Sequence, residues 1–160
     1  MNTTRYLPYR GKVIDLIQDQ KNLILAVEHS EGANIGCYQF SLNDLSEDSL
    51  KMIETPDSLQ GFARCGDNIY AFDISGNLIL VREGQSSLAL QIGMIDFMVE
   101  CSATTLLLVS KAGKIIVYNP ERNTVEWTGK APEAISTIAA DPESKRFALG
   151  GESGMLHLYY

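Results

Sequence analysis

The stretch "AISTIAADPESKRFALGGESGMLHLYY" covers residues 134–160 and contains three short apolar runs separated by turn signals. Runs of this length, rich in Ile, Leu, Ala, Phe and Tyr and bounded by Gly, Asp, Ser and Pro, predict strands. The remainder of the chain is built in the same way. No segment sustains a helical period beyond about ten residues. The sequence therefore predicts an all-β protein with little helix.

The same pattern occurs four times along the chain. Earlier copies begin with "GKVIDLIQDQKNLILAVEHSEGANIGCYQFSL" at residue 11, "LQGFARCGDNIYAFDISGNLILVREG" at residue 59 and "MIDFMVECSATTLLLVSKAGKIIVYNPERN" at residue 94. Each of these is followed by a fourth strand-like run. The repeats extend over roughly residues 11–55, 59–92, 94–130 and 133–160 of a single unit covering residues 1–160, and the last copy has only three runs.

A glycine precedes the third run of every copy, at Gly32, Gly76, Gly113 and Gly154. The steps between these glycines are 44, 37 and 41 residues, close to the blade length of about 40–45 residues in propellers with four strands per blade. Glycine suits a tight turn between the second and third strands because it adopts positive φ without steric cost.

On these features the chain resembles a WD40-like β-propeller, and the resemblance covers nearly its whole length. The dipeptides typical of that family are absent. Gly11-Lys12, Asp57-Ser58, Gly93-Met94 and Glu133-Ala134 stand where Gly-His would lie, and Tyr118-Asn119 and Tyr159-Tyr160 stand where Trp-Asp would lie. We therefore expect stability to come mainly from apolar packing between blades.

The copies supply fifteen strands, one fewer than four complete blades need. Residues 5–10, "RYLPYR", precede the first copy as the fourth runs precede the other copies. The resemblance implies that this segment is the outer strand of the last blade, a pairing that would remove an exposed sheet edge. Pro8 suits an outer strand, where a missing backbone donor is tolerated.

Four blades are fewer than the seven or eight that are usual in WD40-like rings. Small residues in the first strands, "GFARCG" and "ISTIAA", suit narrow wedges, so we expect two chains to form one eight-bladed ring as a homodimer with C2 symmetry. Two alternatives stay open: a different chain, or the remainder of a longer propeller of which this is one half, completes the ring, or the four blades close on themselves.

Composition limits the function classes. The net charge is −7 and the 13 Lys and Arg residues are scattered, which argues against nucleic acid as a partner. Apolar runs are far shorter than the roughly 20 residues of a membrane helix. Cys37, Cys65 and Cys101 are odd in number and widely spaced, so they predict neither disulfides nor a zinc site. We expect a cytoplasmic protein, with the nucleus as the alternative location.

The sequence contains no pattern typical of an enzyme or of a metal or cofactor site. Its two histidines, His29 and His157, are expected in a solvated loop and in a strand, respectively. We predict a non-catalytic scaffold without cofactor or metal that mediates protein–protein interaction or complex assembly. The alternative is a propeller that binds a small ligand or carbohydrate.

The resemblance also implies where a protein partner would bind. In the family, the segments leading into each blade and the turns between second and third strands form one rim. Trp127, the only tryptophan, is a further candidate because Trp is enriched at interface hot spots. The candidate residues are Lys12, Ser58, Met94, Asp73, Lys111, Glu152 and Trp127.

Overall fold

The computed structural model describes residues 11–29, 35–44, 50–56 and 58–160. These residues form fifteen strands in four antiparallel sheets, each with its strands in chain order. No helix occurs among them, so none of the described part could cross a bilayer as a helix. The all-β prediction is confirmed, and the four sheets are arranged as the blades of a β-propeller.

The first two blades have four strands each. Blade 1 contains β1 (Gly11–Asp19), β2 (Asn22–His29), β3 (Ile35–Ser41) and β4 (Lys51–Ile53). Blade 2 contains β5 (Leu59–Cys65), β6 (Asn68–Asp73), β7 (Asn77–Arg82) and β8 (Gln85–Gln91).

The third blade also has four strands, whereas the fourth has three within the described residues. Blade 3 contains β9 (Phe97–Ser102), β10 (Thr105–Val109), β11 (Lys114–Asn119) and β12 (Thr124–Lys130). Blade 4 contains β13 (Ile135–Asp141), β14 (Arg146–Gly151) and β15 (Leu156–Tyr159). The outer strand predicted at residues 5–10 and the turn glycine Gly32 lie outside the described residues.

The predicted turn glycines adopt the conformation that their position requires. Gly76, Gly113 and Gly154 have φ angles of 77°, 85° and 86°, a left-handed region that favours glycine. Each lies between the second and third strands of its blade. The repeat inferred from glycine spacing therefore corresponds to the structural repeat in blades 2, 3 and 4.

Most of the core consists of apolar layers between consecutive blades, and a smaller buried cluster lies on blade 1 alone. Ile24, Ala26 and Ile53 of blade 1 pack against blade 2, and Tyr70, Phe72 and Leu78 of blade 2 pack against blade 3. The third layer joins Leu107, Val109 and Ile115 of blade 3 to Ile135 and Leu149 of blade 4. The middle strand β10 is buried on both faces, which is why its sequence "TLLLV" is apolar throughout and does not alternate.

The blades form an arc. The first strands of successive blades contact one another, β1 with β5, β5 with β9 and β9 with β13. No comparable contact joins β13 to β1 within the described residues. Within the described part of the chain, blades 1 and 4 are therefore terminal blades, each packed against one neighbouring blade.

Candidate functional site

The propeller has two rims, which we name the upper and lower rims. The upper rim contains the segments that lead into each blade and the turns between second and third strands. Backbone hydrogen bonds join these parts: the Ile74 amide donates to the Ser58 carbonyl at 3.0 Å, and the Glu152 amide donates to the Ala134 carbonyl at 3.0 Å. The structure thus brings together the two sets of segments from which partner contacts were predicted.

Two of the predicted residues on the upper rim are buried. Asp73 is fully enclosed, and its carboxylate accepts hydrogen bonds from the amides of Ser75 at 3.0 Å and Asn77 at 2.8 Å and from the Asn77 side chain at 2.8 Å. Ser58 is also buried, and its hydroxyl oxygen accepts a hydrogen bond from the Ile35 amide at 3.2 Å. Both side chains hold the rim together.

The other predicted residues on the upper rim are exposed. Met94 is 72% exposed, and Lys12 and Glu152 also lie at the surface. The ammonium of Lys111 lies 4.0 Å from the Asp96 carboxylate, which also accepts a hydrogen bond from the Lys111 amide at 2.6 Å. These side chains are accessible to a partner, and their role in binding stays a prediction.

A carboxylate and a histidine meet on the upper rim of blade 4. Glu133 accepts a hydrogen bond from the Ser153 amide at 2.9 Å and lies 2.8 Å from His157 Nε2. The hydrogen bonds from Ser153, followed by that of His157, lower the pKa of Glu133 to about 2. Through these hydrogen bonds the pair fastens the turn before β15.

The second histidine corrects one expectation. His29 is the last residue of β2 and not a loop residue, and its Nε2 lies 2.8 Å from the Tyr38 hydroxyl. Among the described residues, no cluster of three or more His, Cys, Asp and Glu side chains could hold a metal ion.

A cluster of aromatic residues lies on the other side of the arc, where a cleft of about 450 Å³ opens between blades 3 and 4. We name it the aromatic cleft. Trp127 on β12, Phe147 on β14 and Tyr159 on β15 line it. The rings of Phe147 and Tyr159 stack with centroids 4.6 Å apart, and the Trp127 ring lies 6.2 Å and 6.1 Å from them.

The local sequence explains why these rings converge. Phe147 and Tyr159 are paired residues on adjacent strands, so their side chains lie on the same face of blade 4. That face is turned toward blade 3, because Leu149 from the same strand is part of the layer between the two blades. Trp127 extends from the outer strand of blade 3 across the same gap and remains 43% exposed.

Polar groups surround the aromatic cleft on the lower rim. Arg122 and Lys145 contribute two positive charges, and Glu126 accepts a hydrogen bond from the Asn119 side chain at 2.9 Å. Ser102 and Thr105 form a hydroxyl pair at 2.7 Å. The cleft therefore combines an aromatic floor with charged and hydrogen-bonding groups, the usual character of a binding site.

One cysteine lines the aromatic cleft as well. Burial raises the pKa of the Cys101 thiol, although the hydrogen bond with Thr105 opposes this effect. A thiol with a raised pKa is a poor nucleophile at neutral pH, since the thiolate is the reactive form. Cys101 thus contributes apolar surface to the cleft.

Sequence reasoning identified only one member of this cluster. Its residue type makes Trp127 a candidate, whereas nothing in the sequence distinguishes Phe147, and Tyr159 is notable only as part of the pair that stands where Trp-Asp would lie. Their pairing depends on the register between β14 and β15, and their approach to Trp127 depends on how blades 3 and 4 pack. The available signal was that both are large aromatic residues in adjacent strands.

Comparisons with known proteins show the fold. No protein-family model matches the chain, and no curated protein matches it. The chain is similar to the solved structure of U3-55K, with a TM-score of 0.72 and 11% identity over 98% of this chain and 54% of that one. It is also similar to the computationally designed Ika4 protein, with a TM-score of 0.71 and 9% identity over 99% of both chains.

A third similar structure is BBS1N, solved in complex with ARL6DN, with a TM-score of 0.65 and 17% identity over 86% of this chain and 42% of that one. The chain therefore spans about half the length of U3-55K and of BBS1N. At these identities the likeness shows a β-propeller fold, which four antiparallel blades independently display.

Proposed function

We propose that this protein is a non-catalytic propeller scaffold that binds a protein partner through the aromatic cleft. The observation that carries the proposal is the convergence of Trp127, Phe147 and Tyr159 in a cleft of about 450 Å³. Exposed aromatic residues that are already packed against one another lose little conformational entropy on binding. The fold supports a binding role, and BBS1N offers an example of a similar propeller solved with a protein partner.

The charges at the aromatic cleft indicate what kind of segment it would bind. Arg122 and Lys145 lie at its margin with one carboxylate, Glu126, so its charged residues are mainly cationic, whereas the chain as a whole carries a net charge of −7. An apolar or aromatic side chain would insert between the rings, and flanking Asp or Glu residues would approach the two cations. The proposed partner is therefore a segment with an apolar anchor and acidic flanks.

The chemistry of the described residues favours binding over catalysis. The Cys101 thiol in the cleft has a pKa raised by burial, and the contact between Glu133 and His157 lies on the other rim. A general base has to reach the substrate that it acts on, and neither Glu133 nor His157 borders the aromatic cleft.

Membership of the WD40-like group and a cytoplasmic location form part of the proposal. Repeat length, the turn glycines and the order of strands support the first. Three free, buried cysteines support a reducing compartment.

A small ligand or carbohydrate is the second candidate for the aromatic cleft. The volume of about 450 Å³ lies within the range of small-molecule sites. Aromatic faces beside the Ser102 and Thr105 hydroxyl groups could pack against a sugar ring and bond to its hydroxyls.

Because Trp127 is the only tryptophan, its fluorescence reports directly on the aromatic cleft. We expect its fluorescence to change with concentration when peptides that carry a Leu or Phe anchor between glutamate residues are added. Peptides with lysine in place of the glutamate should produce a weaker change in fluorescence. Lys145→Glu should reverse that preference. Trp127→Ala should weaken peptide binding by about 2 kcal/mol, whereas Val125→Ala on the same strand should leave it unchanged. Fluorescence anisotropy of a labelled peptide measures the affinity of both variants.

Two outcomes would contradict the proposal. A response to oligosaccharides without any response to peptides would favour the second candidate. Equal binding by the Trp127→Ala variant and the unmodified protein would show that the partner contacts another surface.

A further inference from the structure

The outer sides of the two terminal blades carry apolar residues. We name them the blade 1 end face and the blade 4 end face. Side chains alternate between the two faces of a strand. In a terminal blade, therefore, every second residue packs against the adjacent blade and the residues between them point to the outer side. Blades 2 and 3 use both of their faces in apolar layers, whereas blades 1 and 4 have only one neighbour each.

The blade 4 end face is apolar and shallow. Ala139, Ala148 and Leu158 are paired across its three strands, and Gly150 and Leu156 are paired in the next row. Leu156 and Leu158 are 65% and 55% exposed. A groove of about 450 Å³ borders this face, where the small side chains of Ala139 and Ala148 lie beside the polar Asp141, Ser144 and Arg146.

The blade 1 end face is also apolar, but it carries larger side chains. One row crosses all four strands through Leu16, Leu25, Tyr38 and Met52. Leu25, Tyr38 and the neighbouring Val27 form a buried apolar cluster, so the apolar surface that this face exposes lies at its two edges, where Leu16 and Met52 are 57% and 64% exposed. The two end faces thus differ in shape, one bulky and the other lined by small residues.

Apolar end faces are unusual for the last units of a repeat array. Terminal repeats commonly present a polar outer face, because an exposed apolar one promotes association. In this chain the end faces are of the same apolar type as the faces that form the three internal layers. The sequence therefore equips both ends of the arc for packing against a further blade.

We propose that a second copy of this chain covers the exposed apolar residues of both end faces, so that two four-blade arcs close into one eight-bladed ring. The bulky blade 1 end face of one copy would pack into the shallow blade 4 end face of the other. A two-fold axis then forms the same junction twice and leaves no end uncovered. This inference does not depend on the proposed role of the aromatic cleft, which opens between blades 3 and 4, although Phe147, Tyr159 and Tyr160 border both that cleft and the groove on blade 4.

The mass in solution tests the inference first. Sedimentation equilibrium or light scattering of the 160-residue chain should give twice 17.6 kDa across a wide concentration range. A mass of 17.6 kDa at all concentrations would overturn the inference, because it would show that the protein is a monomer. A mass that keeps growing with concentration would overturn ring closure, because it would indicate an open filament.

Charged substitutions then test which surfaces meet. Leu16→Asp and Leu158→Arg should each raise the dissociation constant by about a hundredfold or more, since each places a charge in an apolar junction. The control is Ile74→Asp, a half-exposed turn residue of blade 2 that should leave the mass unchanged. Circular dichroism confirms that each variant folds.

Mixing the two variants gives the sharpest result. A mixed pair has one unmodified junction and one junction that joins Asp to Arg, so equimolar mixing should restore the two-chain mass. A dimer that survives both substitutions, or a mixture that remains monomeric, would overturn the assignment. If the unmodified protein forms no dimer but its Trp127 fluorescence still responds to peptide, the ring is contradicted and the proposed function is unaffected. If the dimer forms but Trp127 does not respond to peptide, the proposed function is contradicted and the ring is unaffected.

Discussion

Blade 3 and blade 4 are built from similar sequences but have different surroundings. The second strand of blade 3, β10, is buried along its whole length, whereas its counterpart β14 in blade 4 is exposed or half-buried at most positions. Both strands carry apolar residues. The difference arises because blade 3 is packed between two blades and blade 4 against one. An apolar residue at the same position of the repeat therefore contributes more to the free energy of unfolding in blade 3 than in blade 4.

The largest expected effect is a difference in the free energy of unfolding between matched variants of blades 3 and 4. Leu107→Ala removes a fully buried side chain from the layer between blades 3 and 4 and should lower the free energy of unfolding by about 2–5 kcal/mol. Leu158→Ala, in the exposed face of blade 4, should cost less than about 1 kcal/mol at low protein concentration. Urea denaturation measures both, and equal losses would show that blade 4 is as well covered as blade 3.

A smaller difference is expected at the matched turn glycines. Gly113 and Gly154 have almost the same φ, so replacement by alanine should cost about 1–2 kcal/mol at either position for the backbone conformation alone. A Cβ atom at Gly113 would also lie 2.9 Å from the Glu133 carbonyl oxygen, whereas one at Gly154 would meet no atom within 4 Å. Gly113→Ala should therefore be the more destabilising variant in thermal denaturation.

Similar losses for both glycine variants would mean that the chain before β13 moves aside at little cost. That outcome would reduce the contrast between the two blades, because a tightly packed turn is one of the features that distinguish blade 3.

The smallest effect concerns the pH dependence of blade 4. Because the folded state holds the pKa of Glu133 at about 2, below its ordinary value of 4.5, the carboxylate stabilises the fold above pH 4.5. That contribution is lost as the pH falls from 4.5 through 2. Glu133→Gln should therefore lower the melting temperature at neutral pH, and the difference from the unmodified protein should disappear toward pH 2.

Glu121→Gln is the control for the loss of one negative charge, since Glu121 lies in an exposed turn of blade 3. A constant difference between Glu133→Gln and the unmodified protein at every pH would show that the carboxylate acts through packing and not through its charge.

Much of the fold was predictable from short-range patterns. Fifteen strands and the turn glycines Gly76, Gly113 and Gly154 follow from apolar runs and turn residues that are close together in the sequence. The candidate site was much harder to predict from the sequence. Trp127 could be selected as the only tryptophan, but Phe147 and Tyr159 acquire their importance from contacts with it across 20 and 32 positions of the chain.

The upper rim shows the same limit. Met94 and Asp73 were grouped as candidate contacts because the repeat places them on one rim, and both do lie there. Only the packed structure distinguishes them, since Met94 is largely exposed and Asp73 is fully enclosed by its own turn. Position within a repeat specifies location along the sheet, but exposure depends on the neighbouring segments.

The sequence by itself determined the strands, their order and the turns, because each of these depends on residues within one repeat. Tertiary structure alone decided which apolar faces are covered and which aromatic rings meet. Burial depends on the blade on the other side, and a sheet such as β13–β15 carries the same residues whether or not a neighbour is present. For this reason the repeat could be read from the chain, whereas the aromatic cleft and the two end faces became visible only when the blades were placed side by side.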